Sequence, residues 1–173
     1  LHSKGGELAE VARERYPVRE VSREMPLTAL AVCSCGEILE RAAGLSGIVD
    51  TLQKAGLVSE VFRFDRLCTR SDWEDLRKKT ESTRCNRVLI GACLPYVYGK
   101  KLKELSRSAG LATSLMDVVD IRTPAFPGLD GDKPSVSRHI LTAIEMALAR
   151  LQGVDSLSPV HTEVIRKALV VGG

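Results

Sequence analysis

The spacing of apolar residues switches between two periods along this chain. Leu27 to Val32 is an almost continuous apolar run closing at Cys33; apolar toward both faces, it predicts a strand inside a sheet. Helical spacing follows, broken at Gly44 and predicted to restart at Ser46, whose hydroxyl can cap the run Ile48, Val49 and Leu52 before Gly56 ends it. A second strand is predicted from Val58 to Phe64, leading to Cys68. Ser71 and Glu74 then have the spacing of a capping box that opens a helix through Lys79. Arg87 to Ala92 is the third strand and ends at Cys93, Leu94 and Pro95. A basic helix around Lys100 to Arg107 stops at Gly110, and a fourth strand lies near Leu115 to Ile121. The stretch from Pro124 to Pro134, dense in proline, glycine and aspartate, is non-regular. The longest helix carries Val136, Ile140, Leu141, Ile144, Ala147, Leu148 and Leu151 on one face, stops at Gly153, and is expected to pack on the sheet. A last strand, Ala168 to Val171, runs into Gly172 and Gly173.

Strand and helix patterns alternating in this way predict parallel strands joined by crossover helices. The expected fold is α/β: an open, mainly parallel sheet with helices on both faces, flavodoxin- or Rossmann-like. Residues 1–26 stand apart as a leading arm or linker, with a short charged helix from Glu7 to Arg15. Residues 27–158 form the α/β domain, and 159–173 begin a further, truncated one. Lacking an initiator Met and ending straight after an apolar run, the sequence reads as a piece of a longer polypeptide.

Composition narrows the possibilities. A chain of 173 residues, 44% hydrophobic, builds one ordinary domain with a real core. A net charge of +3, with 27% charged residues of both signs interspersed, is a solvated surface rather than a nucleic-acid footprint, so no nucleic-acid partner is expected. No apolar run approaches the ~20 residues that span a bilayer, and the first residues lack a signal-peptide pattern. A cytoplasmic protein without membrane insertion is expected.

In a reducing compartment five cysteines point to metal or redox chemistry rather than a disulfide framework, although a buried thiol can also serve as a small hydrophobe. Parallel strands bring their carboxyl ends to one edge, where ligand sites in open α/β sheets occur. Cys33 and Cys35 follow the first strand, Cys68 the second and Cys93 the third, so four thiols can converge. Cys85 precedes the third strand, and eight residues at ~3.3 Å each put roughly 26 Å between it and Cys93. It is a bystander. Tetrathiolate ligation suits an iron–sulfur cluster or structural zinc. Structural zinc usually appears with paired CxxC knuckles in a domain too small for its own core; neither feature is present, which favours a cluster. Gly36 can let the backbone approach and leave amides free to donate to cluster sulfurs, and it fits a plain turn equally well. A disulfide between Cys33 and Cys35 is disfavoured, because neighbours so close make a strained bridge.

Other features carry less. His2, His139 and His161 are scattered. Lys100, Lys101 and Lys103 read as a solvated helix face or a docking patch, and Trp73 as a packing residue at a helix start. No Ser/His/Asp constellation or complete phosphate loop can be assembled; Gly172 and Gly173 supply only the beginning of a dinucleotide fingerprint.

With these positions in view, the chain resembles the N-terminal domain of the A subunit of heterodisulfide reductase and its bacterial relatives. The resemblance rests on CSCGEI at 33–38, the Cys68 position, NRVLIGACLP at 86–95, AGL at 109–111, DIR at 120–122 and KALVVGG at 167–173. It departs from that pattern at Thr69 and Leu94, where the family has serine, and in the loop after Arg122, which lacks a tryptophan-containing segment. The resemblance implies an electron-transfer module of an iron–sulfur flavoprotein. One 4Fe-4S cluster would sit on Cys33, Cys35, Cys68 and Cys93, exchanging electrons with FAD in an adjoining domain whose binding loop would begin at Gly172 and Gly173. It implies as partners other oxidoreductase subunits and an electron carrier such as ferredoxin, with a homo-oligomer allowed. The fragment alone is expected not to be catalytic. The alternative is a structural or subunit-docking module whose cysteine site holds zinc or no metal.

Overall fold

The computed structural model describes residues 16–125 and 132–157. The leading helix expected at 7–15, the strand expected at 168–171, His2, His161, Gly172 and Gly173 lie outside the described residues, as does the middle of the loop from Pro124 to Pro134.

Among the described residues, the alternating pattern folds as four parallel strands: β1 (Thr28–Cys33), β2 (Glu60–Phe64), β3 (Arg87–Ala92) and β4 (Met116–Asp120). Their spatial order is β2-β1-β3-β4. The register pairs Cys33 with Phe64 and Val32 with Gly91, so β1 and β3 lie side by side at the centre. Both central strands are buried along their whole length, which is why they read as unbroken apolar runs. The fold is α/β with an open all-parallel sheet of the flavodoxin/Rossmann kind.

Among the described residues, five α-helices cover the sheet: α1 (Ile38–Ala43), α2 (Leu45–Lys54), α3 (Arg70–Ser82), α4 (Gly99–Ala109) and α5 (Lys133–Gln152). Alternate strand residues feed opposite cores. Leu30, Val32 and Leu89 pack with α1, α2 and α5, whereas Ala31, Cys33, Val88, Ile90 and Ala92 pack with α3 and α4. Gly91 belongs to the first of these faces, and a β-carbon there would stand 3.2 Å from Ile121 Cδ1.

The helix starts differ from the expected ones. Ser46 does not cap α2. Gly44, with φ 65°, makes the break, and Ser46 lies inside the helix, where its N–H and hydroxyl donate to the Glu40 carboxylate at 2.8 and 2.9 Å. That carboxylate, arriving from α1, satisfies an amide of the first turn that a cap would otherwise take. Thr69 rather than Ser71 caps α3, accepting from Asp72 N–H at 3.3 Å. Lys133 and Pro134, expected in the loop, already form the first turn of α5, whose cap is Asp132. Proline is suited to that position because the first helical N–H has no partner to lose. Residues 16–26, expected as part of a leading arm, lie on the domain: Val21 is buried and Arg19 N–H donates to Gly110 O at 2.7 Å.

Candidate metal centre

Cys33 is the last residue of β1 and is buried. The sheet ladder continues one residue further, Ser34 N–H donating to Phe64 O at 2.8 Å. The chain then enters three successive left-handed residues, Cys35, Gly36 and Glu37, with φ of 56°, 67° and 64°. Left-handed backbone at Cys35 and Glu37 is costly for residues with a β-carbon, so surrounding structure must hold it. Part of that hold is visible: Gly36 N–H donates to Asp65 O at 3.2 Å, stitching the turn after β1 to the turn after β2.

Cys68 is exposed, four residues past the end of β2 and directly before the Thr69 cap. Cys93 is half-buried, one residue past β3. Leu94 beside it is also left-handed, φ 45°, and throws the chain into a short 3-10 turn, Pro95–Tyr98. That turn leaves Leu94, Tyr96 and Val97 facing solvent and returns Tyr98 to the core.

The electrostatics tie the thiols together. Burial pushes the Cys33 thiol above its ordinary range. N–H groups of Leu67 and Cys35 work against that rise, and the neighbouring sulfurs of Cys35 and Cys93 add to it. Leu67 N–H stands 3.4 Å from Cys33 Sγ. Tyr98, buried against Trp73 with ring centroids 5.8 Å apart, is also pushed upward, first by burial and then by Cys93, Cys33 and Cys68. By chain position, Cys33, Cys35, Cys68 and Cys93 all follow strand ends at the carboxyl edge. Cys85 is buried at the other edge, two residues before β3, and its thiol is pushed up by burial.

Among the described residues, no group of three or more His, Cys, Asp or Glu converges tightly enough to hold a single metal ion. A mononuclear tetrathiolate zinc draws four sulfurs to ~2.3 Å from one point. An iron–sulfur cluster takes its thiolates at separate irons and accepts a wider spread of the same donors. In donor chemistry, soft thiols suit either group.

Sequence spacing did not reveal Tyr98 or the amide of Leu67 as neighbours of Cys33. Trp73, read as a packing residue, does pack, but it also carries Lys101, whose Nζ stands 4.8 Å from a Trp73 ring centroid. Lys101 is thus part of the packing behind the site, not simply a solvated cation. No helix among the described residues is long and apolar enough to cross a membrane.

An open parallel α/β sheet whose central strands both end in thiols defines a class of domain that receives its ligand at the carboxyl edge, where the strand order reverses. Comparison with known proteins narrows the class. The chain is similar to the A subunit of the ferredoxin:CoB-CoM heterodisulfide reductase of Methanosarcina acetivorans, 23% identical over 145 residues, covering 84% of this chain and 18% of that protein. The A subunit of that organism's ferredoxin/F(420)H(2)-dependent CoB-CoM heterodisulfide reductase is 26% identical over 146 residues, 82% of this chain and 18% of that protein. A protein of Archaeoglobus profundus, described as like the A subunit of heterodisulfide reductase, is 22% identical over 153 residues, 88% of this chain and 22% of that protein. The chain is related to the A subunits of heterodisulfide reductases and spans about a fifth of the length of these relatives. No protein-family model matches it.

Proposed function

We propose that the chain is the electron-transfer module of a heterodisulfide-reductase-like iron–sulfur flavoprotein. Cys33, Cys35, Cys68 and Cys93 would hold one 4Fe-4S cluster, which supplies one-electron transfer when bound. Other oxidoreductase subunits and a carrier such as ferredoxin are the exchange partners that the relatives' names suggest, and FAD in an adjoining part of the polypeptide is the one that the family resemblance implies. One observation carries the reading: in a chain related to these proteins, thiols follow three adjacent parallel strands at the edge where such sheets bind ligands, Cys33 closing β1, Cys93 one residue past β3 and Cys68 four past β2. The residues' own work is to hold the sulfurs and exclude water. Burial of Cys33 and the Leu67 N–H directed at it do this for one ligand, and Tyr98 with Trp73 closes the space behind the set. Nothing in this role requires a general acid or base.

Anaerobic reconstitution tests the reading. Iron and acid-labile sulfide should load stoichiometrically with broad visible absorbance, and serine at position 33, 35, 68 or 93 should each lower loading, since a hydroxyl is a harder, weaker ligand for iron. Colourless protein holding stoichiometric zinc, or full iron loading in all four variants, would overturn it.

A further inference from the structure

The turn after β2 sends a cation back over the turn after β1. Arg66 N–H donates to Asp72 Oδ2 at 2.8 Å, which fixes its backbone against the first turn of α3. Its side chain folds the other way. Nη2, Nε and Cζ of Arg66 stand 3.1, 3.4 and 3.7 Å from the place a β-carbon on Gly36 would occupy, so the guanidinium lies against the bare α-carbon of Gly36. Asp65 steadies it from one side, with its Oδ2 3.6 Å from Arg66 Nε, while accepting from Ser34 hydroxyl at 3.2 Å. Gly36 is thus required twice: its φ is +67°, and a methyl group there would meet the guanidinium. The cation sits on the peptide that follows Cys35 and leads, two residues on, to Cys68.

A thiolate-bound cluster gains a negative charge when it takes up an electron, and a fixed cation beside it favours that state. Resting on the cluster reading above, we propose that Arg66 is a positioning residue that holds the turn from Cys35 to Glu37 in place and favours the reduced state of the group bound at the four thiols. A planar guanidinium suits close contact with the bare Gly36 backbone better than an ammonium does, and charge supplies the electrostatic part. The two contributions separate by substitution. Because the Arg66 side chain is largely exposed, its charge acts through water and must weaken with salt.

The test is potentiometric titration of anaerobically reconstituted wild type, Arg66→Gln, Arg66→Lys and Gly36→Ala, each with its iron content measured. At the wild-type midpoint and 0.1 M salt, Arg66→Gln should lower the reduced-to-oxidised ratio about two- to fivefold, and 1 M salt, which cuts the Debye length from ~10 to ~3 Å, should close most of that gap. Gly36→Ala should shift the ratio in the same direction by displacing the guanidinium, and Arg66→Lys should stay nearer wild type. An unchanged ratio in Arg66→Gln at equal iron content overturns the proposal. So does a loss of iron with no shift in the part that loads, or a shift that salt leaves untouched. Wild-type protein that takes up no iron or sulfide overturns the cluster reading instead, and this inference falls with it.

Discussion

The two edges of one sheet are finished in opposite ways. At the amino edge, Asn86 and Arg87 are buried and tied to backbone. Asn86 Oδ1 accepts from Leu27 N–H at 2.9 Å, and its amide donates to Met25 O at 2.9 Å and Glu24 Oε2 at 3.1 Å. Arg87 donates to Leu151 O at 3.0 Å, Val154 O at 3.2 Å and Asn86 Oδ1 at 3.0 Å. At the carboxyl edge the chain runs through left-handed residues, thiols that range from buried to exposed, and the exposed apolar side chains of Leu94, Tyr96 and Val97. Polar groups buried with a full set of partners hold a fold together and have little left to offer a ligand. Soft donors on strained turns do the reverse. The difference teaches that fully partnered buried polar groups and thiol-bearing turns lie at opposite ends of the same strands.

The sharpest way to break that division is at Arg87. Arg87→Met keeps most of the volume but leaves buried carbonyls without donors, and should cost about 3 kcal/mol in urea unfolding, with iron per folded molecule unchanged. A marked loss of iron at near-normal stability would mean the edges are not separate. Next in size is Cys85→Ser, which buries a hydroxyl at about 1–3 kcal/mol. Paired with Cys93→Ser, it should show stability loss without iron loss in the first and iron loss in the second; matching iron losses would erase the distinction between the two thiols.

The smallest effect concerns a carboxylate that joins two helices on the shared face. Glu40 is held below its ordinary 4.5, first by Ser46 N–H and then by Ser46 hydroxyl, Lys133 and Arg63, against a desolvation that works the other way. Since its folded value is depressed, its contribution is full above the ordinary carboxylate range and is lost as pH falls through the folded value. Glu40→Gln should therefore cost about 1 kcal/mol at neutral pH. The gap between variant and wild type should narrow below pH 4.5, read from denaturation midpoints at several pH values. A gap that stays constant into acid would remove the carboxylate from the account.

The fold was legible where burial is complete. β3 was expected at 87–92 and is observed at Arg87–Ala92, because a strand covered on both faces leaves no ambiguity of period. The caps were less so. Ser71 and Thr69 have equivalent chemistry, and the choice fell to Thr69 because Asp72 bonds both the turn before the helix and the Thr69 side chain. For the site, the rule that strands of one direction share an edge sufficed to bring Cys33, Cys35, Cys68 and Cys93 to one end and leave Cys85 at the other. The surroundings of the thiols escaped that rule. Tyr98 returns only because Leu94 turns left-handed, and Arg66 meets Gly36 only because two turns from different strands lie side by side. Neither follows from periodicity, which reports which face a residue occupies and not what crosses over it.

The clamp at Arg87 also fixes where the polypeptide departs. Arg87 grips the carbonyls of Leu151 and Val154 at the end of α5, and Ser114, ahead of β4, donates to Asp155 O and accepts from Leu157 N–H, each at 3.2 Å. The chain therefore passes residue 157 on the amino side. The thiols lie on the far side, beyond the six residues of β3, a rise of about 20 Å at ~3.3 Å per residue. A reporter attached at Leu157 would therefore read the amino end of the sheet, about 20 Å away from the thiols, without touching a single sulfur.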